Sequence, residues 1–201
     1  LMKKMVLALF AVGLGLIGYA SVQLLSANQS EKAALAEARE YLEETLVSEE
    51  KPAMEEHMTE TSELSFEKGQ TIGILQIPSM NKELPIVEGT NEDALKQGVG
   101  HYTGTVYPGE KDQILLSGHR DTVFTGLDKL QNGDSIIVKM AHGTFTYAIV
   151  DTEIVEEDDQ TVIRSTAPEE LLTLSTCYPF RYIGNAPQRY VVYARLMEEG
   201  T

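Results

Sequence analysis

The chain has 201 residues, with 16 lysines and arginines against 31 aspartates and glutamates and a formal net charge of −15. That balance excludes a nucleic-acid binder, because a phosphate backbone needs a basic footprint and the sequence carries no basic patch or stripe. A single cysteine, Cys177, excludes an intramolecular disulfide, and the length suits one domain plus an extension.

Met5 to Leu25 is an almost unbroken apolar run without a charge, long enough to cross a bilayer as a helix. Lys3 and Lys4 precede it and an acidic segment follows. The positive-inside bias therefore places residues 1–4 in the cytoplasm, residues 5–25 in the plasma membrane as a single-pass anchor, and everything later outside. A cleaved signal peptide is the alternative, with Gly18-Tyr-Ala20 as a small-x-small site. The apolar run continues through Val22, Leu24 and Leu25, beyond the usual signal core, which favours an anchor.

Residues 26–68 read as an extracytoplasmic stalk and linker, rich in Glu and Ala and free of glycine before Gly69. Asn28-Gln-Ser-Glu31 matches a capping box; the other reading is that the membrane helix runs straight through it. Leu35, Ala38, Leu42 and Leu46 share one helical face, so the first part is a helical stalk. Ser48 to Lys68 reads as a solvated linker, and His57 within it as an exposed side chain.

From Gly69 to Thr201 the pattern changes to strands and turns. Thr71 to Ile77 is a strand ended by Pro78, and Leu84 to Val87 a short one whose Pro85 marks an edge or a strand start. Asn91 to Gln97 is a short helix with Asn91 as N-cap and Gly98 as terminator. Gly98 to Gly109 reads as turns around His101. Gln113 to Ser117 is a buried strand, Asp134 to Met140 follows an Asn132-Gly133 turn, and Ala141-His-Gly143 joins it to Thr144 to Val155, one long strand or a bent pair. Strands at Leu171 to Thr176 and Arg189 to Leu196 complete a mostly-β closed barrel or sandwich.

Outside the membrane an idle free thiol is exposed to oxidation, which favours a working Cys177 over a merely packed one, the ordinary fate of a lone cysteine. Leu172, Leu174 and Thr176 point to one side of their strand, and Thr173, Ser175 and Cys177 to the other. Cys177 thus lies on the more polar face, at a strand end. A cysteine nucleophile needs a base and an oxyanion stabiliser. His119 ends an apolar strand as Cys177 does; His57, His101 and His142 fall in a linker, a turn region and a hairpin tip. In the last strand Tyr190, Val192, Ala194 and Leu196 form a core face, leaving Arg189, Val191, Tyr193 and Arg195 facing out. If that strand lies beside the Cys177 strand, Arg189 can reach the thiol, favour its thiolate and offer forked donors to a developing oxyanion. Asp121 reads as a turn cap.

Leu116-Ser-Gly-His-Arg-Asp121, Thr173-Leu-Ser-Thr-Cys-Tyr-Pro179 and Arg189-Tyr-Val-Val192 resemble the three motifs of the sortases, membrane-anchored cysteine transpeptidases of Gram-positive bacteria. Ile77-Pro78, Leu84-Pro-Ile-Val87 and Gly98-Val-Gly-His-Tyr102 look most like class D. The resemblance covers about Gly69 to Leu196 and implies an eight-stranded sortase-type β-barrel with one or two short helices over residues 69–201. It also implies catalysis by Cys177, His119 and Arg189. The implied partners are secreted proteins bearing a C-terminal Leu-Pro-x-Thr-type sorting signal and an amine on cell-wall precursor or another protein. Cys177 would form a thioacyl-enzyme, His119 protonate the leaving amine and Arg189 hold the oxyanion. Some class A sortases bind calcium in the loop corresponding to Glu156-Glu-Asp-Asp159, and clustered carboxylates suit such an ion; the spacing matches no known cage, so no metal or cofactor is assigned. A tethered cysteine peptidase using water as acceptor, and a binding module in which Cys177 only packs, are the alternatives.

Overall fold

The computed structural model describes residues 2–49, 64–182 and 184–197; most of the expected linker, His57 included, lies outside the described residues. Strands β1 (Thr71–Ile77), β2 (Lys82–Glu88), β3 (Val99–His101), β4 (Gln113–Ser117), β5 (Ser135–Met140), β6 (Gly143–Glu156), β7 (Leu171–Tyr178) and β8 (Gln188–Leu196) close into a barrel in the order β1-β2-β3-β4-β7-β8-β6-β5. The expected closed barrel is present, with eight strands. Its interior is filled by alternate side chains, among them Leu75, Ile86, Ile114, Val138, Tyr147 and Leu172, each fully buried, as the period of two requires.

Pro85 sits inside β2 rather than at its start. It faces Ile74 of β1, and pairing with β3 begins only at Ile86, so the missing N–H falls where β2 has one neighbour. The strand that the sequence hid is β3. It is three residues long and contains Gly100, which defeats any periodicity count. Gly100 lets the chain pass close to its neighbours: a Cβ there would lie 2.4 Å from the Gly89 carbonyl oxygen and 2.9 Å from Leu95. The β6 reading resolves to one strand with a register shift between Ile149 and Asp151.

Helix α1 (Met2–Glu49) runs without a break through the expected capping box. Its first part holds a stretch, Lys3–Val22, long and apolar enough to cross a membrane, with Phe10 71% and Leu14 67% exposed. Its second part packs on the barrel wall. Ala34 and Ala38 are buried, Leu35 and Leu42 half-buried, and Arg39 bonds Glu83 of β2 at 2.8 Å. The side chain of Leu46, expected on the same stripe, lies outside the described residues. Two alanines one turn apart bring the helix close to β1, β2 and helix α2 (Glu92–Gln97). Asn91 caps α2, its side chain accepting from the Ala94 N–H at 2.9 Å, and Gly98 ends it.

The hidden strand carries a buried polar group. His101 lies in the barrel wall with Nδ1 2.7 Å from Glu88 Oε2, its other ring nitrogen 3.1 Å from the Val106 carbonyl oxygen. Tyr107 donates to the same Glu88 oxygen at 3.2 Å and has its own pKa pushed up to about 12 by burial and the Glu88 charge. Burial alone raises the Glu88 pKa, but hydrogen bonding to His101 and Thr103, with the His101 charge and Tyr107, outweighs it and holds the carboxyl below its ordinary 4.5. A depressed carboxyl stabilises the fold above its unfolded pKa, and that contribution is lost as pH falls through the folded value. Glu88→Ala is therefore expected to lower unfolding free energy at pH 7 by roughly 3–5 kcal/mol, read by denaturant titration. The gap to wild type should narrow as pH drops below 4.5; a gap that stays constant into acid would exclude an ionised Glu88.

Candidate active site

The β7–β8 hairpin is aligned by its apolar faces. Leu172 opposes Ala194 and Leu174 opposes Val192, all fully buried. The same register carried to the strand ends sets Cys177 directly across from Arg189. Side chains of directly opposed residues are near neighbours on one face. The outward face is covered along most of its length. Thr173 and Val191 are fully buried and Tyr193 is 7% exposed, and Thr173 accepts at 3.0 Å from Gln113, which also holds the segment between β6 and β7. Gln113 fastens that segment by donating to the Val162 carbonyl at 2.8 Å and accepting from the Arg164 N–H at 3.0 Å. Asp112 accepts from Ser165 and the Thr166 N–H. The end holding half-buried Cys177 and Arg189 is where this face stays open.

His119 arrives from the other side of β7. Strand β4 runs parallel to β7 with Ser117 opposite Ser175, so two further residues along each chain bring His119 and Cys177 level. The chain is tied there. The Gly118 N–H donates to the Ser175 carbonyl at 3.1 Å, and the buried Thr176 hydroxyl donates to the Gly118 carbonyl at 2.7 Å. A side chain at Gly118 would come within 2.6 Å of Val123 and 2.8 Å of Phe124. Beyond His119 the loop folds back, with the Phe124 N–H on the His119 carbonyl at 3.0 Å. Lys82 of β2 props it up by donating to the carbonyls of Thr122 and Val123 at 3.3 and 2.5 Å. Burial lowers the Lys82 pKa and the Glu31 charge partly restores it. His119 also lines a cleft of about 380 Å³ whose other walls include Leu95 and Lys96 of α2 and Asn28 and Glu31 of α1.

Arg189 is engaged on its own side of the site. Nη1 donates to the carbonyls of Ala186 at 3.2 Å and Gln188 at 3.0 Å, and Nη2 lies 3.6 Å from Glu157. Glu157 was not expected here: in sequence it is one of four acidic residues in a row, and only the β6–β8 register, with Glu156 opposite Gln188, carries it to Arg189. Its neighbours are also occupied, Glu156 accepting from Gln188 and Asp159 from Thr161. Asp121 is exposed. His101 is part of the barrel wall, and His142 meets the Pro108 carbonyl at the β5–β6 turn, 2.7 Å away. Tyr178, Phe180 and Tyr190 pack together beside the thiol-bearing strand end, Phe180 edge-on to both tyrosines.

The strand register thus sets a half-buried thiol directly opposite an arginine, with a histidine just beyond the paired end of the neighbouring strand β4. A family model described as a sortase domain matches residues 75–197. The chain is 43% identical over 195 residues to Sortase D of Bacillus subtilis, spanning 96% of this chain and 98% of that one. The Sortase D5 transpeptidase structure of Clostridium perfringens superposes with a TM-score of 0.68 at 27% identity, covering 85% of this chain and 99% of that one. A Clostridium perfringens sortase C solved with the C-terminal cell wall sorting motif gives 0.61 at 26% identity, over 83% and 89% of the two chains. The closed barrel, the domain match and the near full-length identity agree: this chain belongs to the sortase family of transpeptidases, which cleave sorting signals and link proteins to the cell wall, and it is close to Sortase D.

Proposed function

We propose that Cys177, His119 and Arg189 carry out the transfer and that the substrate signal is of the Leu-Pro-x-Thr type. The observation that supports this most is the direct opposition of Cys177 and Arg189 across β7 and β8, with the Gly118 segment bonded to β7 at Ser175 and Thr176. The Cys177 thiolate attacks the carbonyl carbon of the signal's threonine, and the oxygen gains negative charge. The Arg189 fork offers two N–H groups to that oxygen, which a point charge does less well. As the C–N bond breaks, His119 gives its proton to the departing amine, leaving a thioester on Cys177. An acceptor amine then attacks the thioester, His119 takes the proton it sheds, and the thiolate leaves. An amine on cell-wall precursor or another protein is the acceptor.

The apolar part of α1 is the anchor, residues 5–25, with residues 1–4 in the cytoplasm and the catalytic part, residues 69–201, outside. Lys3 and Lys4 ahead of the span, and the acidic residues after it, support that orientation. The test is to trap the thioacyl-enzyme with a library of Leu-Pro-x-Thr peptides and weigh the products with and without amines. A Cys177 adduct that amines convert to a ligated peptide supports the reading; hydrolysis alone with every amine offered would make the protein a peptidase.

A further inference from the structure

Between Cys177 and Arg189 the chain makes a loop over residues 179–187 whose outer part, including Arg181, Tyr182, Gly184 and Asn185, is exposed. Among the described residues, the hydrogen bonds that reach this outer part from another loop come from Arg120, the residue next to His119. Its Nη2 donates to the Tyr182 carbonyl at 2.8 Å and to the Gly184 carbonyl at 3.2 Å. The two loops joined in this way bear the histidine on one side and border the cysteine–arginine pair on the other. Of its other two nitrogens, Nη1 is buried with no hydrogen-bond partner. An unpaired buried N–H on a cation is unfavourable, so the placement of Arg120 is not accounted for by stability alone, and such mismatches concentrate at functional sites.

We propose that Arg120 is a positioning residue for the transfer reaction: its guanidinium clasps the 179–187 loop to the loop of His119 and so fixes the imidazole relative to the Cys177 thiol. The inference rests on the assignment of His119 and Cys177 to the reaction. Arg120 touches neither reacting atom. It acts by restricting two otherwise separate loops, and small displacements of a proton carrier weaken transfer steeply. Both clasp bonds leave from one nitrogen, so an ammonium at the same place can make them, whereas a thioether cannot.

The experiment compares wild type, Arg120→Met and Arg120→Lys in the full chain. Arg120→Met is expected to lose roughly 10–100-fold in kcat with KM for a sorting peptide changed less than about twofold; Arg120→Lys should recover most of the loss. Amide exchange over 179–187 should rise in Arg120→Met and return in Arg120→Lys, with thermal unfolding of both near wild type. Iodoacetamide alkylation of Cys177 across pH supplies a readout that needs no turnover. Arg120→Met should alter the profile when His119 is present and leave it unchanged in a His119→Ala background, the signature of action through His119. A wild-type kcat in Arg120→Met, or the same alkylation change with and without His119, would overturn the proposal. If the wild-type protein forms no thioacyl adduct with any sorting peptide, the catalytic assignment fails, while the exchange and alkylation results still decide whether the clasp exists.

Discussion

Cys177→Ala is expected to abolish both thioacyl-enzyme formation and transfer, leaving no activity above the uncatalysed background. The sulfur is the atom that bonds the substrate, so its removal deletes the first step instead of slowing it. Stability should hardly change: Cys177 is half-buried at a strand end, and its backbone stays in the β7–β8 ladder. His119→Ala removes the proton carrier and should cost roughly 10²–10⁴-fold in kcat, while Gly118 and Thr176 keep the loop in place. Single-turnover assays with a labelled sorting peptide, next to thermal unfolding, check both. Turnover surviving in Cys177→Ala would return the thiol to a packing role and move the nucleophile to another group.

Arg189→Lys should lower kcat by roughly 10²–10³-fold, the usual loss on removing an oxyanion donor. The lysine keeps the charge but not the planar fork, and its ammonium is drawn to the Ala186 and Gln188 carbonyls that now hold Nη1. Glu157→Gln should do the opposite, since it releases Arg189 from a competing carboxylate 3.6 Å away. Both side chains are solvent-accessible, so the gain in kcat/KM is modest, on the order of 1.5–5-fold, and shrinks with salt. Steady-state kinetics of the two variants at low and high ionic strength separate the cases. A near-normal rate in Arg189→Lys would remove the oxyanion role and keep the thiol mechanism.

The residues proposed for the chemistry were legible because each lies at the end of a strand with a readable period. Cys177 follows Leu172, Leu174 and Thr176, His119 follows the apolar run of β4, and Arg189 opens a strand whose alternate residues are apolar. Strand β3 and the Glu88–His101 pair were not legible. Three residues with a central glycine carry no period, and the role of His101 depends on a carboxylate thirteen positions earlier that becomes its neighbour only through parallel pairing with β2. The face expected to point outward from β7 and β8 is mostly buried for a similar reason: Thr173 bonds Gln113, sixty residues away in sequence, which also holds the segment between β6 and β7.

The sequence by itself determined the apolar span, the β-rich domain and the faces on which Cys177 and Arg189 lie, because these follow from local composition and from a period of two. Tertiary structure decided the pairings between distant segments. It set β4 parallel to β7 so that His119 comes level with Cys177, brought Glu157 to Arg189 and joined Arg120 to Tyr182 and Gly184. It also laid the second part of α1, read from sequence as a helical stalk, along the barrel, with Ala34 and Ala38 buried. Each of these contacts depends on strand order and register, which arise when the barrel closes and buries its apolar face, and no local pattern encodes them.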